Sequence, residues 1–135
     1  MVTMDWLAKM CGLPEVFLHT TEGNGGGVIQ GSASESTLVS LLAAKYRKIK
    51  QLEKEGVNIE GLESKLVAYM SMQAHSSIEK GIKIVGSKIR ALDTNSSFSL
   101  KGDTLRKAIE EDKANGLVPY FVGASFGTTS VRLVN

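Results

Sequence analysis

An alternation of strand-like and helix-like segments over the second half of the 135-residue chain most constrains the fold. Short apolar runs predict strands at 65–71, 87–92 and 117–124. Helical patterns separate these strands at 75–85 and 103–114. Strands that alternate with helices favour a mainly parallel sheet with helices packed against it. Pro119 fits the third strand only near its beginning or at a sheet edge. The sequence therefore predicts an α/β fold.

Composition and charge exclude several classes of protein. The chain carries 16 basic and 14 acidic residues, and its net charge of +2 is too small to predict a nucleic-acid or membrane-surface partner. The single cysteine, Cys11, cannot form an intramolecular disulfide and favours a reducing compartment. No apolar run approaches the roughly 20 residues of a membrane helix, and the start lacks the pattern of a signal peptide. We therefore expect a cytoplasmic protein with no nucleic-acid or membrane partner.

A glycine loop runs directly into a predicted helix between Gly25 and Glu35, in the block Gly-Gly-Gly-Val-Ile-Gln-Gly-Ser-Ala-Ser-Glu. Ser32 and Glu35 have the spacing of a capping box, and apolar residues then recur at helical steps to about Leu52. A helix start offers unpaired N–H groups and partial positive charge to a phosphate, and Ser32 and Ser34 would add hydroxyl donors. The block matches neither a Walker loop nor G-x-G-x-x-G. On physical grounds alone, a plain capped surface helix is the commoner interpretation.

Two further motifs follow predicted strands. His75 lies between a strand and a helix in Gln-Ala-His-Ser-Ser, and the residues Gly-Thr-Thr-Ser follow the third strand at 127–130. Ligands gather at the carboxyl ends of strands in α/β sheets. The histidine could be a base, a ligand or a flat stacking partner, or it could only cap its helix or pack against it. The hydroxyl residues could bind a ligand or simply form a turn. Two histidines and one cysteine form no metal-ligand cluster, so no metal site is predicted.

Taken together, the three motifs resemble those of the group II pyridoxal-phosphate-dependent decarboxylases, a family that includes the aromatic amino acid decarboxylases. The matching stretches are 4–7, 25–42, 66–79, 108–119 and 127–129. The glycine-rich block is the most specific of them, and the resemblance extends to about Ser130. It implies that residues 1–135 form a single partial cofactor-binding domain. This domain would be part of the large domain of the type I, aspartate aminotransferase-like fold.

The resemblance also implies roles for individual residues. Ala33 and Ser34 would bind the phosphate of pyridoxal 5′-phosphate, Ala33 through its backbone N–H. His75 would be the catalytic residue, with its imidazole on the pyridine ring beside the substrate, and Thr129 would contact the cofactor from the end of its strand. Histidine at this position resembles the decarboxylases rather than their aldehyde-forming relatives, which carry asparagine there. The implied activity is decarboxylation of an aromatic L-amino acid such as DOPA, 5-hydroxytryptophan or tyrosine by a homodimeric enzyme.

The chain departs from the family pattern after Thr129, where it reads Ser-Val-Arg-Leu-Val-Asn. Neither the Asp-Ala-Ala motif, whose aspartate pairs with the pyridinium nitrogen, nor the His-Lys motif of the Schiff-base lysine occurs in the 135 residues. We therefore expect the isolated chain to be inactive. A fragment, a mis-predicted gene product and a truncated paralogue are all open as origins. The alternative functions are a non-catalytic partner of a full-length enzyme and an unrelated phosphate-binding α/β domain.

Overall fold

A computed structural model describes residues 2–20 and 25–125 of the chain. The chain forms two compact units, Met1–Ser32 and Ala33–Asn135. The described part of the first unit contains helix α1 (Val2–Met10) and a 3-10 turn at Glu15–Phe17. The described elements of the second unit are α2 (Ala33–Lys54), a 3-10 turn (Leu62–Lys65), β1 (Leu66–Ser71), α3 (Ser76–Ile84), β2 (Lys88–Leu92), α4 (Gly102–Ala114) and β3 (Val118–Gly123).

In the first unit, a buried carboxylate ties α1 to the loop that follows it. Asp5 accepts hydrogen bonds from the backbone N–H groups of His19 at 2.8 Å and Thr20 at 3.3 Å. The bond from His19 is the main cause of the lowered pKa of Asp5. The glycine loop packs closely in the same unit, since a Cβ added at Gly25 would lie 2.6 Å from the carbonyl oxygen of Leu18. Glycine at this position therefore permits a close backbone approach.

The described strands form a parallel sheet in the order β2-β1-β3. Every residue of the central strand β1 is buried, which explains its continuous apolar run. Val67 pairs with Pro119 and Ala68 with Phe121, so Tyr120 is an extra residue that bulges out of the register. Pro119 is thus the second residue of a strand at the edge of the described sheet, as the sequence predicts. The predictions of strands and helices are confirmed to within about two residues.

Helices cover both faces of this sheet because alternate residues of β1 point in opposite directions. Apolar residues from α2, α3 and the sheet form the core on one face: Leu41, Ala68, Met70, Ile82 and Val85. Residues from α4 and the sheet form the core on the other face: Val67, Tyr69, Leu92 and Ala108. The predicted α/β fold, with a parallel sheet between helices, is confirmed.

A polar network on the α4 face joins two strands to this helix. The phenol of Tyr69, in β1, donates to Oδ2 of Asp112 at 2.7 Å. Arg90, in β2, donates to Oδ1 of Asp112 at 2.5 Å and to Oε2 of Glu111 at 2.5 Å. Burial raises the pKa of the Tyr69 phenol, and its bond to Asp112 raises it further. A single buried carboxylate therefore holds together β1, β2 and α4.

Candidate functional site

Helices α2 and α3 run parallel and begin at the same edge of the sheet. Helix α3 follows the carboxyl end of β1, so its first turn lies at that edge. Near the middle of α3, a Cβ at Gly81 would lie 2.8 Å from Leu41 and 3.7 Å from Thr37 of α2. At the end of α3, the Nζ of Lys45 donates to the carbonyl oxygen of Val85 at 2.9 Å. Because the contacts advance in the same direction along both helices, α2 also begins at the carboxyl edge.

The start of α2 presents the donors that the sequence predicts for a phosphate site. Ala33 is the first residue of the helix, and both Ala33 and Ser34 are exposed. The Oγ1 of Thr37 donates to the carbonyl oxygen of Ala33 at 3.0 Å. The first N–H groups of an α-helix have no acceptor within the helix, and their dipoles favour a negative charge. This donor set fits the phosphate group of a cofactor.

His75 is the N-cap of α3. Its backbone is extended, with φ −61° and ψ 140°, and its Nδ1 accepts a hydrogen bond from the N–H of Ser77 at 3.2 Å. The Oγ of Ser77 also lies 2.9 Å from Nδ1. The structure therefore confirms the interpretation of His75 as a helix cap. The cap uses Nδ1 alone, and the residue is exposed, so the cap does not prevent stacking by the imidazole.

A concavity of about 270 Å³ lies beside the first turns of the two helices and the end of β3. Its lining residues come from α2, α3 and the end of β3: Ser36, Thr37, Ser40, Ile78, Phe121, Val122, Gly123 and Ala124. Hydroxyl side chains line the α2 side, and mainly apolar groups line the rest. Binding sites for small molecules combine apolar walls with a few polar groups in this way.

Two features of this concavity were not predicted from the sequence. Ser36 and Thr37 each lie about one helical turn before Ser40, and this spacing is the signal that could have identified them. Gly123 lets β3 approach α3 closely, because a Cβ there would lie 2.8 Å from Cγ2 of Ile78. The strand residue and the helix residue are distant in sequence, so their contact follows only from the fold.

The structure brings three of the four predicted site residues to one edge of the sheet. Ala33 and Ser34 begin α2 and His75 caps α3, and both helices cover the same face. Thr129 lies outside the described residues. Within the described ranges 2–20 and 25–125, no group of three His, Cys, Asp or Glu residues could hold a metal ion. No helix in that part of the chain is both long and apolar enough to cross a membrane.

Comparison with known proteins shows which family this chain matches. The family described as pyridoxal-dependent decarboxylase conserved domain matches residues 1–132. Mouse aromatic-L-amino-acid decarboxylase is 53% identical over 131 residues, which cover 96% of this chain and 27% of that protein. Mouse histidine decarboxylase is 55% identical over 131 residues, which cover 95% of this chain and 20% of that protein. The chain therefore spans about a quarter or less of the length of these relatives.

A solved structure supports the same relationship. The Oryza sativa TDC with PLP and tryptamine has a TM-score of 0.80 and 37% identity, covering 99% of this chain and 29% of that chain. The match confirms the predicted fold, which is that of the pyridoxal-phosphate decarboxylases. The family is pyridoxal-dependent, which confirms the predicted cofactor. An unrelated phosphate-binding domain is excluded. The chain belongs to the pyridoxal-dependent decarboxylase family.

Proposed function

We propose that this chain forms the side of a decarboxylase active site that binds the phosphate and one ring face of pyridoxal 5′-phosphate. The observation that carries the proposal is the common position of the α2 start and His75. Both lie at the carboxyl edge of the sheet, on one face, next to a concavity. A parallel sheet places ligands at this edge.

Each predicted residue has a physical role in this proposal. The N–H groups of Ala33 and Ser34, with the Ser34 hydroxyl, hold the phosphate at the positive end of a 22-residue helix. The imidazole of His75 would stack on the ring, keep it in one orientation and exclude water from that face. Thr129, as the family resemblance implies, would also contact the cofactor. Together these contacts orient the cofactor for the reaction.

The chemistry divides between the cofactor and the protein. Pyridoxal phosphate, when bound, accepts the electron pair that remains when carbon dioxide leaves an amino acid. The residues of this chain bind the phosphate and orient the ring. Because the 135 residues contain neither Asp-Ala-Ala nor His-Lys, the proposal assigns covalent attachment of the cofactor to none of its lysines.

We further propose that the substrate is an L-amino acid with an aromatic ring, such as DOPA, 5-hydroxytryptophan or tyrosine. Identity to mouse aromatic-L-amino-acid decarboxylase supports this class, and the Oryza sativa structure contains tryptamine, an aromatic amine. Histidine decarboxylase is as similar to this chain, so histidine belongs in the substrate panel. All these substrates carry a flat unsaturated ring.

The proposal includes a homodimer in the cytoplasm. Large apolar side chains of the first unit are exposed, at 62% for Trp6, 84% for Met10 and 66% for Val16. Exposed apolar patches are typical of protein–protein contacts, and a second copy would cover them. The exposed free thiol of Cys11 supports a reducing compartment. The same surface supports the second candidate, a non-catalytic chain that binds a full-length decarboxylase.

A chimera tests the proposed function. Residues 1–130 replace the aligned segment of mouse aromatic-L-amino-acid decarboxylase, and carbon dioxide release is measured from DOPA, 5-hydroxytryptophan, tyrosine and histidine, with free cofactor as the blank. We expect the chimera to decarboxylate aromatic substrates far faster than the blank. The 135-residue chain alone should release carbon dioxide no faster than the blank. A folded chimera that binds no cofactor would contradict the proposal. Binding of the isolated chain to a full-length decarboxylase, with no activity in the chimera, would favour the second candidate.

A further inference from the structure

We infer that Ser77 is a positioning residue that holds neutral His75 as the tautomer with its proton on Nε2. The geometry of this pair is independent of any ligand. Its relevance to catalysis rests on the proposed function, in which the imidazole of His75 lies on the cofactor ring. The inference assigns a role to a side chain that the sequence did not single out.

The tautomer of His75 follows from its contact with the backbone N–H of Ser77. The backbone N–H of Ser77 can only donate, and it lies 3.2 Å from Nδ1 of His75. Nδ1 must therefore offer its lone pair. The Ser77 hydroxyl, 2.9 Å from the same atom, then also acts as a donor. With Nδ1 unprotonated, a neutral imidazole carries its hydrogen on Nε2.

The local fold explains why Ser77 has this position. The side chain of an N-cap residue accepts from the N–H of the second or third helical residue, and Ser77 is the second residue of α3. The same bonds restrict rotation of the imidazole relative to α3. Packing of Gly81 against Leu41 in turn sets the position of α3 beside α2. The orientation of the ring is therefore linked to the helix that begins with the phosphate donors.

This arrangement determines what His75 can do in the proposed site. Nδ1 is occupied by the cap, so Nε2 is the nitrogen that can interact with a substrate. In the inferred tautomer, Nε2–H donates a hydrogen bond and holds a proton. The other tautomer would present a lone pair at Nε2. Its hydrogen would be on Nδ1 and would point at the N–H of Ser77, so that two donors would face each other. Ser77 thus selects the hydrogen-bonding character of the exposed nitrogen.

The ¹⁵N chemical shifts of the His75 ring nitrogens in the 135-residue chain test the inference without cofactor. They are recorded at a pH where titration shows the ring to be neutral. We expect an Nδ1 signal typical of an acceptor and an Nε2 signal typical of an N–H group. Ser77→Ala removes the hydroxyl donor but keeps the backbone N–H, so it should move both shifts only part of the way towards those of free N-acetylhistidine, and Ser77→Thr should restore them. Ser76→Ala, at the adjacent helical position, is the matched control and should leave them in place. Circular dichroism verifies that α3 remains folded.

Two results would overturn the inference. One is a hydrogen on Nδ1 in the unaltered chain, which would refute the assigned tautomer. The other is a tautomer ratio that Ser77→Ala does not change, which would show that the backbone N–H alone sets the tautomer and that the Ser77 side chain positions nothing. In the chimera, Ser77→Ala should lower kcat several-fold without raising KM, and Ser77→Thr should recover it. An unchanged kcat in a chimera that His75→Ala impairs would overturn the positioning role. An inactive chimera whose ring nitrogens still have the expected shifts would refute the proposed function and support the assigned tautomer.

Discussion

Replacing His75 with alanine in the chimera is expected to lower kcat about a hundredfold, because small misplacements of groups at a reacting centre have effects of that size. The cofactor ring would lose its stacking partner on one face. The effect on stability should be much smaller, since loss of an N-cap side chain typically lowers the free energy of unfolding by about 1 kcal/mol. Turnover is measured with saturating cofactor and substrate, and stability by urea unfolding.

His75→Ser separates the two roles of this residue. Serine supplies an N-cap oxygen for α3 but no imidazole, so this variant should retain stability and still lose turnover. His19→Ala is the matched histidine control, because His19 binds Asp5 through its backbone N–H. Unchanged turnover in His75→Ala would show that His75 only caps its helix.

Replacing Asp112 with alanine is expected to lower the free energy of unfolding of the chain by about 3 kcal/mol. Removal of the carboxylate leaves the fully buried Tyr69 phenol without its acceptor and takes one charged partner from Arg90. An unsatisfied buried donor costs about 1–3 kcal/mol, and hydrogen bonds to charged groups lie at the upper end of the range for hydrogen bonds. Urea unfolding monitored by circular dichroism measures the change.

Glu111→Ala is the matched control because Glu111 and Asp112 both bind Arg90. The side chain of Glu111 is 46% exposed, whereas that of Asp112 is 6% exposed. Exposed ion pairs contribute about 0–1 kcal/mol, so Glu111→Ala should have little effect. A double-mutant cycle with Tyr69→Phe should show coupling between Tyr69 and Asp112. Equal effects of the two acidic substitutions would refute the proposed role of the buried network.

Most secondary structure was predictable because its signals are local. The capping-box spacing placed the start of a helix near Ser34, and α2 begins at Ala33. The uninterrupted apolar run of β1 indicated a strand, and the structure shows that this strand is buried on both faces. Pro119 has no N–H, which restricted it to the beginning of a strand or to an edge strand. It is the second residue of β3, and β3 lies at the edge of the described sheet. Each of these inferences depends on only a few neighbouring residues.

Contacts between distant residues were not predictable in the same way. Tyr69 and Asp112 are 43 residues apart, and strand register and helix packing together bring them into contact. The helical pattern alone gives no sign that Asp112 is buried. Some features of the site were predictable from the sequence, and others were not. The family resemblance implied that Ser34 and His75 would contact one cofactor, but the contact of Gly123 with Ile78 depends on side-chain packing.

The central claim, that the starts of α2 and α3 bind the cofactor phosphate and ring, is tested most directly by NMR titration of the ¹⁵N-labelled chain with pyridoxine 5′-phosphate. This ligand has the ring and phosphate of the cofactor but no aldehyde, so exposed lysines such as Lys107 cannot form Schiff bases with it. Pyridoxine and inorganic phosphate are the controls. We predict the largest shift changes at the amides of Ala33 and Ser34 with both phosphate ligands, and changes at the His75 ring only when phosphate and pyridine ring are joined. Changes centred elsewhere, or equal responses to pyridoxine with and without its phosphate, would contradict the account.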